Sequence, residues 1–163
     1  MYYKSNIIDL TTILKKLPDA VAVIYGNDDH PDINGVVRFY QTSRGAITVA
    51  QISGLPSGYG NCEEPIFGFH IHEGASCTGS GEESFGDTGS HYDPIGCPHP
   101  YHAGDMPPLF SASGLAFLAF ISNRFSVSEI IGRTVIIHSM PDDFTSQPSG
   151  NVGDRIACGK IVR

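Results

Sequence analysis

The sequence predicts an all-β domain in which about eight antiparallel strands form a barrel or a sandwich. Short runs of β-branched and aromatic residues recur along the chain, and 19 glycines and 11 prolines provide turns around them. A chain of 163 residues is long enough to bury the core of one domain without additional cross-links. The predicted class is therefore a single, turn-rich β domain.

Turn-forming segments separate the predicted strands and leave two long loops. In chain order, the strands are Val21–Tyr25, Gly35–Gln41, Ala46–Ser53, Phe67–His72, Leu115–Ser122, Phe125–Ile130, Thr134–His138 and Ile156–Val162. Residues 27–32 form a polar turn, in which we expect His30 to be an exposed loop residue. The loops are residues 73–113 and 139–154, and a loop of about forty residues is uncommon in a small domain unless it has a function.

An N-terminal extension, residues 1–18, is predicted to precede the β domain of residues 19–163. Within this extension, residues 5–17 match a short amphipathic helix that ends before Pro18. The apolar residues at helical spacing are Ile7, Leu10, Leu14 and Leu17. We expect the helix to pack on the domain. A helix that binds a partner or a membrane is the alternative, and a polar face that is not strongly basic disfavours it.

Composition excludes several classes of partner. The formal net charge of −7 and the pI near 5.3 argue against nucleic acid and against an anionic membrane surface. The sequence has no run of about 18 apolar residues, so it predicts no membrane span. Its first residues do not match a secretory signal, and we therefore expect a cytoplasmic protein.

Five of the seven histidines lie within residues 68–105. His70 and His72 alternate along a predicted strand, so their imidazoles point to the same face. The loop that follows offers four nitrogen and oxygen donors, the number that a tetrahedral zinc ion requires. These donors are His91, His99, His102 and Asp105. The sequence therefore predicts a metal site in this stretch.

Five blocks of sequence stand out along the chain: Gly-Phe-His-Ile-His-Glu (68–73), Gly-Ser-His-Tyr-Asp-Pro (89–94), His-Ala-Gly-Asp (102–105), Gly-Arg-Thr-Val-Ile-Ile-His (132–138) and Gly-Asp-Arg-Ile-Ala-Cys-Gly (153–159). These blocks resemble the copper/zinc superoxide dismutase family, in the family's own order and over roughly residues 20–163. The short gap between His72 and Cys77 resembles the bacterial branch. The resemblance implies an eight-stranded Greek-key barrel that disproportionates superoxide to oxygen and hydrogen peroxide.

The resemblance also implies a ligand set for two metals. Copper would be bound by His70, His72, His91 and His138. Zinc would be bound by His91, His99, His102 and Asp105, with His91 bridging the two ions. The donor types agree with this assignment, because imidazoles suit copper and a mixed imidazole and carboxylate set suits zinc.

Two further residues match positions with a role beside the metals. Asp142 would hydrogen-bond to His70 and His99, since carboxylates behind a metal site fix the orientation of ligating imidazoles. Asp143 is the neighbouring alternative for this role. Arg155 matches an arginine that lies beside copper and attracts the superoxide anion, a role that suits a permanently charged guanidinium.

The four cysteines allow three pairings. Intracellular thiols are usually reduced, so free cysteines or metal ligands are the ordinary expectation. By the resemblance, Cys77 and Cys158 form a disulfide that ties the metal loop to the last strand. A second disulfide between Cys62 and Cys97 is our hypothesis for the remaining pair, and a free thiol at Cys97 close to the zinc ligands is the alternative.

The chain departs from the family in two loops. Only Pro100 and Tyr101 separate His99 from His102, and residues 139–154 contain no lysine, so attraction of superoxide would depend on Arg155 and the metals. The alternative function is a related protein that stores or delivers copper and zinc without turnover. The resemblance leaves both a monomer and a homodimer open.

Overall fold

Antiparallel strands dominate the computed structural model, which describes residues 10–58, 65–79 and 83–163. Two single-turn α-helices and one 3-10 helix (Gly86–Thr88) accompany nine strands in these ranges. In chain order the elements are α1 (Leu10–Ile13), β1 (Ala20–Gly26), β2 (Asn34–Thr42), β3 (Gly45–Ser53), β4 (Ile66–Phe67), β5 (Phe69–His72), β6 (Leu109–Phe110), β7 (Ala116–Ser122), α2 (Val127–Ile130), β8 (Thr134–His138) and β9 (Arg155–Val162). No helix among the described residues is long and apolar enough to cross a membrane.

Seven of the strands form one curled sheet in the order β5-β8-β9-β1-β2-β3-β7, and β4 pairs with β6 in a second, two-stranded sheet. All of these pairings are antiparallel. Strands β3 and β7 are neighbours although three strands separate them in the sequence, which is the connection pattern of a Greek key. The sheet curls into a half-barrel, and the predicted all-β, antiparallel class is confirmed.

The core lies on the concave side of the sheet. Val37 and Phe39 of β2 are fully buried there, and they alternate with residues that face outward, as the period of a strand requires. Each fully buried phenylalanine or isoleucine side chain contributes about 1.5–3 kcal/mol to the free energy of unfolding. Strands β5 and β8 are buried along their whole length, because the core covers one face and loops cover the other. These two strands carry three of the six histidines of the site.

The N-terminal helix packs on the outside of the sheet. Ile13 of α1 contacts a small buried cluster of Tyr40, Ile47 and Val49 on β2 and β3. The helix ends at Ile13 rather than at residue 17 as predicted. The chain leaves the helix there through a turn in which the Lys16 N–H donates to the Ile13 carbonyl at 3.0 Å. Residues 5–9 of the predicted helix lie outside the described ranges.

The predicted strand Phe125–Ile130 is wrong, because the structure forms helix α2 there. Ser126 and Glu129 form a capping box, in which the Glu129 carboxylate accepts from the Ser126 backbone N–H at 2.7 Å. The alternation of apolar residues that predicted a strand also lets Val127 and Ile130 point into the core from one helical turn. The Ser-x-x-Glu spacing was the correct local signal.

Two other strand predictions need correction. Gly68 divides the predicted strand Phe67–His72 into β4 and β5, which belong to different sheets. A Cβ at Gly68 would lie 2.8 Å from Cγ1 of Val152, so only glycine fits at this crossing. The long loop of residues 73–113 also contains a short strand, β6, that pairs with β4. The described ranges accordingly contain nine strands in two sheets, instead of the eight strands predicted.

A disulfide between Cys77 and Cys158 joins the long loop to β9. The sulfur atoms belong to a small buried cluster with Phe85 and Ile136. The bond closes a loop with a sequence separation of 81, for which chain entropy gives a stabilisation of about 4 kcal/mol.

We expect Cys77→Ala to lower the free energy of unfolding of the metal-free protein by about 4 kcal/mol, measured by chemical denaturation. Cys158→Ala should lower the free energy of unfolding by a similar amount. The double variant should be less stable than either single variant by about 1 kcal/mol at most, since both substitutions break the same bond. Fully additive costs would contradict a cross-link between these residues.

Candidate metal centre

Two groups of buried donor side chains lie next to each other at one end of the barrel. Within each group the ligand atoms lie within 4.8 Å of one another. The first group is His70, His72, His91 and His138, and the second is His91, His99, His102 and Asp105. All six histidines are buried, and Asp105 is half-buried. The structure thus brings together the seven residues that the sequence predicted as ligands, with His91 common to both groups.

Strands β5 and β8 position the histidines of the first group. His70 and His72 project from the same face of β5, as their spacing predicted, and they are 0% and 2% exposed. His138 ends the neighbouring strand, where the register with β9 shifts at Ile137 and His138. The Nε2 atoms of His72 and His138 lie 3.3 Å apart. Two adjacent strands therefore direct their imidazoles toward one point.

The long loop supplies the second group and is fastened to the backbone of Ile71. The Ile71 N–H donates to the Gly104 carbonyl at 2.9 Å, and the Tyr92 N–H donates to the Ile71 carbonyl at 2.8 Å. Gly104 N–H donates in turn to the Tyr92 carbonyl at 2.8 Å. A Cβ at Gly104 would collide with the Ile71 carbonyl, so this close approach requires glycine. The loop covers the β5 edge and places Asp105 beside His70 and His91 beside His72.

Three imidazole nitrogens converge on the carboxylate of Asp105. Nδ1 of His91 lies 2.8 Å from Oδ1, while Nδ1 of His99 and Nδ1 of His102 lie 3.2 and 3.3 Å from Oδ2. Burial favours the neutral acid, but the hydrogen bond from His91 and the nearby imidazoles outweigh it and lower the pKa of Asp105. Three imidazoles and one carboxylate form the donor set of a tetrahedral zinc site.

Asp142 connects the two groups from behind. Its Oδ2 accepts from Nε2 of His70 and its Oδ1 from Nε2 of His99, both at 2.9 Å. Burial opposes ionisation, yet these hydrogen bonds and one from the Phe144 N–H at 2.7 Å lower the pKa of Asp142 to about 2. Asp143 accepts instead from the turn that follows it and contacts neither histidine.

Several ring nitrogens in the two groups are buried without a well-directed hydrogen bond to any residue that the structure describes. They are Nδ1 of His70, Nε2 of His91, Nδ1 of His99, Nδ1 of His102 and Nδ1 of His138. An unpaired buried polar atom costs about 1–3 kcal/mol, so several of them in one place call for an additional partner. Each of these nitrogens belongs to one of the two donor groups, and the residues therefore fit two bound metal ions.

Burial keeps the imidazoles of His70, His72 and His138 uncharged at neutral pH. Desolvation lowers the pKa of His70 to about 4, against an opposing hydrogen bond to Asp142. Desolvation and the neighbouring imidazoles also lower the pKa values of His72 and His138 well below the ordinary value. Neutral imidazole is the form that binds a metal, so the site is prepared for metal at neutral pH.

Arg155 lies beside the first group in a cavity of about 640 Å³ that opens to the surface. Its Nη2 donates to the Gly89 carbonyl at 3.0 Å, and the same carbonyl accepts from Nδ1 of His72 at 2.9 Å. Its Nη1 forms an ion pair with Glu83 at 2.7 Å. The guanidinium is thus tied to a residue of the donor group through one shared carbonyl oxygen.

His30 lines the same cavity. It is half-buried and its Nδ1 lies 2.9 Å from Oδ1 of Asn27, so the expectation of a plainly exposed loop residue is wrong. Cys97 is half-buried and has no disulfide partner within the described ranges. The predicted pairing with Cys62 involves a residue outside those ranges and stays a prediction.

Two side chains that the sequence did not indicate hold the short segment between His99 and His102. Gln147 donates from Nε2 to the His99 carbonyl at 2.7 Å and accepts the His99 N–H at 3.0 Å. Arg124 donates to the Pro100 carbonyl at 2.8 Å. Both residues come from other loops and bind backbone atoms, so no local spacing in the sequence signals them. They support the second donor group at the point where only two residues separate His99 from His102.

Comparisons with known proteins assign this kind of site to a family. A sequence model of the copper/zinc superoxide dismutase family (SODC) matches residues 33–161. A Cu-Zn superoxide dismutase of Legionella pneumophila is 34% identical over 169 aligned positions, which cover 97% of this chain and 98% of the relative. One of Photobacterium leiognathi is 33% identical over 78% of both chains, and one of Xenopus laevis is 33% identical over 87% of this chain and 95% of its own. The chain belongs to the copper/zinc superoxide dismutase family, and the cofactors predicted, copper and zinc, are confirmed.

We expect Gln147→Ala to weaken zinc binding about tenfold, because two hydrogen bonds to the backbone of His99, a residue of the second donor group, are lost. Competition with a zinc chelator on the otherwise unchanged protein measures this. Gln51→Ala, the same substitution on an exposed glutamine of β3, is the control and should leave zinc affinity unchanged. Equal zinc affinities of the two variants would contradict a supporting role for Gln147.

Proposed function

We propose that this protein catalyses the disproportionation of superoxide, in which two superoxide ions and two protons give one oxygen and one hydrogen peroxide. The observation that supports this most strongly is His91, which belongs to both donor groups, with its Nδ1 2.8 Å from Asp105 and its Nε2 buried without a described hydrogen-bond partner. Membership of the copper/zinc superoxide dismutase family supports the same reaction.

Copper and zinc are assigned to the two groups by donor type. We assign copper to His70, His72, His91 and His138, since an all-imidazole set suits copper. We assign zinc to His91, His99, His102 and Asp105, with His91 bridging the ions. Bound copper supplies the one-electron oxidation and reduction of superoxide, and bound zinc supports the bridge. Asp142 orients His70 and His99 from behind.

The protein's own residues bind the substrate and deliver protons. Arg155 holds a small anion in the cavity beside His72 and His138, because its guanidinium is always charged and has several directed donors. His91 lines the same cavity, and its Nε2 makes no hydrogen bond to any described residue. We assign this nitrogen the role of carrying one of the two protons to the reduced product.

The division of the chain into an extension and a domain is part of the same proposal. We infer that residues 1–18 form an extension whose Ile13 anchors it to the outer face of the domain of residues 19–163. A cytoplasmic location stays a prediction, and both a monomer and a homodimer stay open. Cell fractionation and sedimentation measure them.

Pulse radiolysis of the protein loaded with copper and zinc tests the proposed activity. We expect superoxide decay to be accelerated well above buffer, and His138→Ala to abolish the acceleration by removing a donor that belongs to the first group alone. His30→Ala is the matched control, since His30 lines the cavity but belongs to neither group, and it should retain most of the rate. Tight binding of both metals without accelerated decay would contradict the enzyme and favour storage or delivery.

A further inference from the structure

The guanidinium of Arg155 is already occupied by a carboxylate of the same chain. Nη1 of Arg155 lies 2.7 Å from Oε1 of Glu83, and Nη2 donates to the Gly89 carbonyl at 3.0 Å. The Arg155 side chain is 18% exposed, whereas that of Glu83 is 71% exposed. One partner of the pair is therefore fixed at the cavity wall, and the other stands in solvent.

The charges that line the cavity are unfavourable for an anionic substrate. Among the described lining residues, Arg155 is the only arginine or lysine. The carboxylates in the lining are Asp29, Glu73, Glu83, Asp93 and Asp154. A small anion that enters is repelled by these groups until it reaches Arg155, and it meets the Glu83 carboxylate there.

The backbone next to Glu83 is anchored, so its side chain can move without loss of the fold. Phe85 is buried in a cluster with Ile136 and Cys158, and its ring centroid lies 6.1 Å from that of Tyr25. Packing of this kind fixes the chain two residues after the exposed carboxylate.

A second anchor links the Glu83 segment to Arg155 itself. Nδ2 of Asn27 lies 3.3 Å from Oγ of Ser84 and 3.3 Å from the Arg155 carbonyl. Since Asn27 connects the residue after Glu83 to the backbone of Arg155, the two charged side chains start from fixed positions. Their ion pair can open by rotation of the glutamate alone.

We propose that Glu83 is a built-in competitor for the anion-binding site of Arg155, and that a substrate anion displaces it from Nη1. This role rests on the proposed function, because it concerns the capture of superoxide by Arg155. Glu83 thereby sets the affinity of the site for small anions and lowers the rate of capture below what the arginine alone would give.

Titration of the copper- and zinc-loaded protein with azide, followed by the copper absorption band, tests this competition. At low ionic strength, we expect Glu83→Gln to lower the Kd for azide about fivefold, as for the loss of an exposed ion pair that competes with the ligand. The difference should shrink in high salt, because exposed charges are screened. The kcat/KM for superoxide should rise in parallel.

Asp29→Asn is the matched control, since it removes the same charge from the same cavity lining, and no contact of Asp29 with Arg155 is among the described hydrogen bonds and ion pairs. We expect it to change the Kd for azide less than twofold. Equal effects of the two variants would overturn the proposal, because the negative charge of the cavity as a whole, and not the contact of Glu83 with Arg155, would then weaken azide binding. Weaker or unchanged azide binding in Glu83→Gln would also overturn it, because a glutamate that merely holds Arg155 in place predicts that result.

The outcome is separable from that of the proposed function. Azide binding is measured at equilibrium and reports on the anion site whether or not superoxide is consumed. If Glu83→Gln binds azide more tightly than the unsubstituted protein and neither protein accelerates superoxide decay, the result would support the competition and contradict the activity.

Discussion

The two hydrogen bonds of Asp142 are the interaction on which the metal centre depends. One carboxylate oxygen accepts from His70 and the other from His99, so a single side chain orients one imidazole of each donor group. Because its pKa is about 2, Asp142 is ionised at neutral pH and only accepts hydrogen bonds. Nε2 of each ring must then carry a proton, and Nδ1 is the ring nitrogen that faces away from Asp142 and toward the donor group.

The scaffold around Asp142 serves this geometry. Residues 139–154 fold back on themselves, with the Met140 N–H donating to the Val152 carbonyl at 2.9 Å. Gly150 has a φ of +77°, and a Cβ there would collide with Asp142 and lie 2.7 Å from Nε2 of His99. Asp142 therefore reaches both histidines only because glycine stands opposite. The barrel contributes the rest, since β5 and β8 are buried on both faces and hold their histidines rigidly.

Much of this centre could be predicted from the sequence, because its strongest signals are local. The alternation of His70 and His72 along a strand needs only the period of a β-strand, and the four donors of the following loop were predicted from their number and type. The remaining donor, on the neighbouring strand, and the division into two groups followed from the family resemblance. The contacts of Glu83 and Gln147 could not be predicted, since each joins loops that are distant in sequence and one of them binds backbone atoms. The error at Phe125–Ile130 has a different cause, because a capping box outweighed an alternating pattern.

Metal affinities of Asp142→Ala test the central claim that one carboxylate supports both sites. Copper and zinc are titrated separately into the metal-free variant, and both affinities should fall by about tenfold to a hundredfold, as for loss of a residue that orients metal ligands. Asp143→Ala is the control, since Asp143 contacts neither His70 nor His99, and it should bind both metals normally. Weakened binding of one metal with unchanged binding of the other would contradict the account.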